Sequence, residues 1–150
     1  MSTRCHIALY KSKQQRLSKP SVLIYRHSDG YPEGVLPEIM PFLKKWDKIR
    51  GMSDIEYLGA RLLQHLTNIY DQWSPSDPSS GILGYGISWA FHWDIEYLYA
   101  IYSDGEVRVY ETEWEEKLDD KKKPLKVLQV KRDRQNSNDH SLQGLAKTGS

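Results

Sequence analysis

The chain of 150 residues contains a single cysteine, Cys5, so it cannot form an internal disulfide bond. This scarcity is typical of the reducing cytoplasm, and we expect Cys5 to be a small core residue of the first strand. No apolar run approaches the roughly 18 residues of a membrane span, and the N-terminus lacks the pattern of a secretion signal. These absences predict a soluble, cytoplasmic protein with no membrane partner.

The familiar catalytic and metal-binding motifs are also missing. The sequence has no Ser-His-Asp order with a nucleophile elbow, no CxxC pair and no HExxH. Hydrolase and zinc-ribbon interpretations therefore lack support, and the balance favours a small binding or interaction module over an enzyme. No cofactor is indicated.

Net charge is close to zero, at +1, which predicts no strong nucleic-acid field for the chain as a whole. The charge is unevenly distributed, because residues 121–150 hold eight Lys or Arg against two Asp or Glu. The basic segment from Lys121 to Arg134 could contact nucleic acid. A solvated charge run is the favoured interpretation.

Apolar residues recur about every two positions in the first part of the chain, about every 3.6 positions in the middle part, and every two positions again after that. This pattern predicts strands, then helices, then further strands. The predicted elements are strands 4–10 and 22–27, helices 36–50 and 54–72, strands 82–88, 95–102 and 106–112, and an edge strand 125–130. Ser53 and Glu56 form a capping box at the second helix. In the first helix Pro37 suits the first turn, whereas Pro41 predicts a kink or a late start.

This order predicts an α+β fold, in which two adjacent helices pack on one face of an antiparallel sheet (β-β-α-α-β-β-β). We expect a single domain over 1–131, an exposed linker over 74–81 and a disordered polar tail over 132–150, where few apolar groups could offset the ordering entropy.

The hairpin around Asp104-Gly105 has a predicted register. A two-residue loop would pair Tyr102 with Val107 and Ala100 with Val109. The opposite face would then collect Tyr97, Tyr99, Ile101, Arg108 and Tyr110. A slip of one residue would exchange the two faces.

The most informative segment is the polar loop between the second strand and the first helix, Tyr25-Arg26-His27-Ser28-Asp29-Gly30-Tyr31-Pro32-Glu33-Gly34. Asp29-Gly30 favours a turn, and we expect Gly30 to take a positive φ. Pro32 restricts Tyr31 to an extended conformation. Loops of this kind commonly hold binding sites, and they also serve as folding devices.

The same segment carries a resemblance. Thr3-Arg4 opens the first strand, and His27-x-Asp29-Gly30-Tyr31-Pro32-Glu33-Gly34 precedes a helix that begins near Val35. Over roughly residues 2–50 the chain resembles an uncharacterised family of small proteins from bacteria and their phages, and beyond that only the aromatic hairpin is similar. The resemblance implies the architecture and a bacterial or phage cytoplasmic setting, and it implies no activity.

The first functional hypothesis is a pocket for a small anion or a nucleotide at the start of the first helix. Free amides and the helix dipole favour a phosphate or carboxylate there, and Arg26 and His27 could close over it. The candidate ligand-binding residues are Arg26, His27, Asp29, Gly30, Tyr31 and Glu33. The alternative is that Asp29 and Glu33 accept from those amides themselves. A homodimer is a further candidate assembly.

The second hypothesis is a metal-dependent phosphodiesterase or nuclease. The pairs His27-x-Asp29 and His92-x-Asp94 could supply two imidazoles and two carboxylates to Zn²⁺, Mn²⁺ or Fe²⁺. Glu33 or Glu96 would be the general base. Chance recurrence of a short pattern is the favoured explanation.

The third hypothesis is an aromatic surface that stacks a base or nucleotide, with Arg108 nearby. Its candidate rings are Trp89, Phe91, Trp93, Tyr97, Tyr99 and Tyr110. A hydrophobic core under the helices is the favoured alternative. His65 is expected at the core edge, and no role is assigned to His140.

Overall fold

A computed structural model describes residues 2–70, 76–77, 84–114 and 117–131. The elements are β1 Cys5–Tyr10, β2 Val22–Arg26, α1 Pro32–Ile49, α2 Ile55–Tyr70, β3 Tyr85–Ile87, β4 Tyr97–Tyr102, β5 Glu106–Glu111 and β6 Lys126–Gln129. The α+β class and the order of the elements are confirmed. The predicted tail over 132–150 lies outside the described residues, as does the predicted linker apart from 76 and 77.

The six strands form one sheet in the order β3-β2-β1-β4-β5-β6. Four of the neighbouring pairs are antiparallel, as expected, but β1 and β4 run parallel, with Ile7 opposite Tyr99. This pair departs from the predicted antiparallel sheet. β2 and β3 occupy one side of β1, so β4 pairs with the other side of β1 only after a long connection through the helices and β3. A long crossover of this kind allows a parallel pair.

The helices cover one face of the sheet, called here the helix face. Helix α1 buries Val35, Ile39 and Leu43 against it. The strands contribute alternate residues to the same core, which includes Cys5 with no exposed surface, so its predicted core position is confirmed. Burial also raises the pKa of the Cys5 thiol to about 12, which keeps it protonated and unreactive.

Helix α1 begins four residues before the predicted start. Pro32 occupies its first turn, where a missing N–H costs nothing. Pro37 and Pro41 lie inside the helix on its exposed side, so the carbonyls of Glu33 and Pro37 that lose their partners can bond to water.

The opposite face, called here the outer face, is covered by loops. A second apolar cluster lies there, formed by Ala8, Tyr10, Leu17, Leu23, Leu98, Ala100, Tyr102 and Tyr110. The predicted hairpin register was wrong by one residue, because Ala100 pairs with Arg108 and Ile101 with Val107. The loop has three residues, 103–105, and Gly105 takes a φ of 92° there.

Candidate functional site

Arg26 and His27, the two basic residues of the polar loop, lie on opposite faces of the sheet. Arg26 is buried on the helix face, where Nη1 donates to Glu38 Oε1 at 2.5 Å and to Tyr85 OH at 2.8 Å. Its Nε donates to Ser28 O at 2.7 Å. Arg26 therefore joins β2 to α1 and β3, and the predicted pocket with Arg26 and His27 closing over one anion is not formed.

Gly30 is a point of close approach and not a residue with a positive φ, so that prediction was wrong. Its N–H donates to Thr3 O at 2.9 Å, and the buried Tyr99 hydroxyl donates to Gly30 O at 2.6 Å. A Cβ at Gly30 would lie 2.9 Å from Cys5 Cβ. Asp29 takes the left-handed conformation instead, with φ 56°.

The start of α1 has no side-chain cap. Tyr31 is the N-cap residue in an extended conformation, and no side chain bonds to the first amides. Asp29 Oδ1 accepts a long bond, 3.4 Å, from the exposed Tyr31 hydroxyl. Glu33 lies in the first turn, where its charge complements the helix dipole. The proposed capping by Asp29 and Glu33 is therefore wrong, and the loop is held mainly through its backbone.

The outer face carries a group of rings that we call the imidazole cluster: His6, Tyr25, His27 and His92. Tyr25 is its centre, because its ring stacks on His92 with centroids 4.1 Å apart and an interplanar angle of 12°. The Tyr25 hydroxyl lies 3.3 Å from Nδ1 of His27. His27 and His92 are both exposed, so two imidazoles and a phenol face solvent together.

His6 is the buried member of this cluster and contacts the backbone of His92. It is fully buried, its Nδ1 donates to Ile24 O at 3.0 Å, and its Nε2 accepts from the backbone N–H of His92 at 3.0 Å. These partners require the neutral ring, with the proton on Nδ1. The pKa of His6 is lowered to about 4, mainly by burial and to a smaller extent by His92, against the opposing effects of Ile24 O and Asp94.

The two His-x-Asp pairs do not assemble into a metal site. Asp94 pairs with Arg4 at 3.5 Å, and Asp29 accepts from the Tyr31 hydroxyl at 3.4 Å. Across the described ranges, no three His, Cys, Asp or Glu side chains are grouped so that they could hold a metal ion.

A groove of about 490 Å³ lies beside the imidazole cluster on the outer face, between the segment 18–21 and the segment 88–91. We call it the Trp89 groove, with Lys19, Leu23, Ser88, Trp89 and Phe91 among its lining residues. The Trp89 side chain is 98% exposed. Ser88 joins groove and cluster, because its Oγ lies 3.2 Å from Nε2 of His92.

The predicted aromatic surface divides between core and solvent. Tyr99 and Tyr110 are buried, on the helix face and the outer face respectively. Phe91 and Tyr97 are half-buried, and only Trp89 and Trp93 are largely exposed. The aromatic ligand surface therefore reduces to the segment before β4.

His6, Lys19 and Ser88 were missed by the sequence-based reasoning. His6 is two residues from Ala8 along β1 and therefore shares the outer face with it, and this parity could have indicated that His6 does not belong to the core under the helices. Lys19 and Ser88 carry no local signal, because the groove exists only where two distant loops meet.

No helix in the described part of the chain has the length and apolar character needed to cross a membrane. Comparison of the chain with protein-family models, with curated proteins and with solved structures found no match. Its function is accordingly inferred from the geometry of the outer face.

Proposed function

We propose that the protein is a small binding module for a nucleotide-like ligand, a molecule with both a planar ring and an anionic group, and that the Trp89 groove is its site. The observation that carries the proposal is the indole of Trp89, which is 98% exposed at the rim of a groove of about 490 Å³. Ligand sites commonly have volumes of about 300–1,000 Å³, so the groove has room for a nucleotide.

Trp89 provides the stacking surface. An almost fully exposed indole gains none of the free energy that burial of an aromatic ring provides. A base stacked on it would bury part of its apolar surface. Base–aromatic stacking contributes about 1–3 kcal/mol per base. Phe91, a half-buried lining residue of the same groove, adds a second apolar contact.

The anionic group would be held by cations around the groove. Lys19 is exposed and forms no ion pair with another described residue, so its charge is free to meet a phosphate. Ser88, which lines the groove, offers a hydroxyl, and its partner His92 offers an imidazole nearby. In this proposal the anion binds on the outer face near Lys19, and not in a pocket closed by Arg26.

We propose that the protein binds its ligand without catalysing a reaction. The resemblance over residues 2–50 supports a bacterial or phage protein that acts in the cytoplasm, and we propose that setting for it. An enzyme would need groups aligned on a reacting atom, which the described residues do not reveal.

The test is calorimetric titration of the full chain with the four ribonucleoside monophosphates, with adenosine alone and with inorganic phosphate. We expect one or more monophosphates to bind more tightly than adenosine or phosphate. Trp89→Ala should weaken that binding by about 10- to 100-fold, as expected for a lost stacking contact. Lys19→Gln should weaken it and reduce its salt dependence.

Trp93→Ala is the matched control, because Trp93 is also exposed, at 60%, but packs on Trp114 and does not line the groove. It should leave the affinity unchanged. Equal losses in Trp89→Ala and Trp93→Ala, or no binding of any monophosphate at about 1 mM, would refute the proposal.

A further inference from the structure

Strand β6 lies at the edge of the sheet, and its backbone groups alternate between β5 and the open side. The Val130 N–H donates to Gly105 O at 2.8 Å, in the register that pairs β6 with β5. The same alternation turns the backbone of Leu128 toward β5 and that of Val127 and Gln129 away from it. Within the described ranges β6 pairs with β5 alone, so these donors and acceptors are open to a further strand.

An apolar groove follows this edge on the helix face. It has a volume of about 460 Å³ and lies between α1 and β6, with Leu36 and Met40 on one wall and Leu128 on the other. All three side chains are half-buried and pack on the main core. A seventh strand beside β6 would direct alternate side chains toward the helix face, and therefore into this groove.

The same edge is positively charged. Lys44 and Lys126 line the groove, and neither forms an ion pair with a described residue. The segment 117–131 contains six lysines and two aspartates. Glu33, in the first turn of α1, is the one acidic residue among those that line this groove.

We propose that the β6 edge binds an extended segment of another protein as a seventh strand, in which the side chains directed toward the helix face are alternately apolar and acidic. Main-chain bonds to Val127 and Gln129 would supply the affinity, and apolar side chains would enter the groove. Acidic side chains would meet Lys44 and Lys126. A second copy of this chain is a poorer occupant, because its own β6 edge carries the same positive charges, Lys44 and Lys126.

The test uses the full chain, labelled with ¹⁵N, and a short peptide with the repeat Val-Thr-Glu-Thr, which places Val and Glu on one face of the added strand. We expect chemical-shift changes at the amides of Val127 and Gln129 and slower hydrogen exchange there on binding. The same peptide with Lys in place of Glu should bind about tenfold more weakly or worse. Val127→Pro should abolish binding, since it removes an outward N–H without removing a bond to β5.

Val127→Thr is the matched control, because it keeps the backbone donor, and it should bind the acidic peptide as the wild type does. Lys126→Glu tests the charge independently of strand geometry and should reverse the preference between the two peptides. Three results would overturn the proposal. They are amides of Val127 and Gln129 already protected without peptide, a dimer that Val127→Pro dissociates, and peptide binding that leaves these amides unchanged.

Discussion

Protonation of His6 is expected to destabilise the fold as the pH falls from about 6.5 to about 4. The native ring is neutral, and a second proton on Nε2 would face the His92 N–H, so a donor would oppose a donor. The pKa of His6 is lowered from 6.5 to about 4 by burial. Between about pH 4 and pH 6.5, His6 is protonated in the unfolded chain and neutral in the native chain. The free energy of unfolding therefore rises with pH in this range and decreases as the pH falls. A difference of about 2.5 pKa units corresponds to roughly 3 kcal/mol.

The measurement is the free energy of unfolding in urea at about pH 7 and at about pH 4.5, for the wild type and for His6→Gln. His6→Gln loses the ring and is expected to be less stable at neutral pH, but its stability should fall much less on acidification. His27→Gln, which removes an exposed imidazole, should keep the full pH dependence of the wild type. Parallel pH profiles for the wild type and His6→Gln would refute the reasoning.

Three further substitutions test the polar loop, each by urea unfolding. Gly30→Ala should destabilise by about 1–3 kcal/mol, because its Cβ would overlap neighbouring atoms, whereas Gly86→Ala, with open space around it, should cost less than about 1 kcal/mol. Asp29→Gly should be neutral or stabilising by up to about 1 kcal/mol, since glycine relieves a positive φ; a loss of stability would restore the capping role. Arg26→Ala should cost about 1.5–3 kcal/mol, because it removes buried bonds to Glu38 and Tyr85, and Glu38 is 26% exposed and can be hydrated; a loss below about 1 kcal/mol would show that the pair contributes little.

The order and type of the elements could be predicted because they depend on local periodicity. Alternation along β1 and the 3.6-residue period of α2 are properties of neighbouring residues, and the structure reproduces both within a few positions. The burial of Cys5 in the core could be predicted from the same alternation. The early start of α1 at Pro32 shows the limit of such reasoning, because a helix boundary depends on backbone contacts such as Gly30 with Thr3.

The hairpin register and the candidate sites were decided by tertiary structure. The choice between a two-residue and a three-residue loop at Gly105 exchanges the faces of β5, and local sequence allows both. His6 and His92 are 86 residues apart and meet only because β1 and β4 pair in parallel. The sequence by itself determined which residues were polar, aromatic or charged and in which elements they lie. Which of them share a face followed from strand pairing between distant segments, because that pairing is selected by burial over the whole core and leaves no signal in the local pattern.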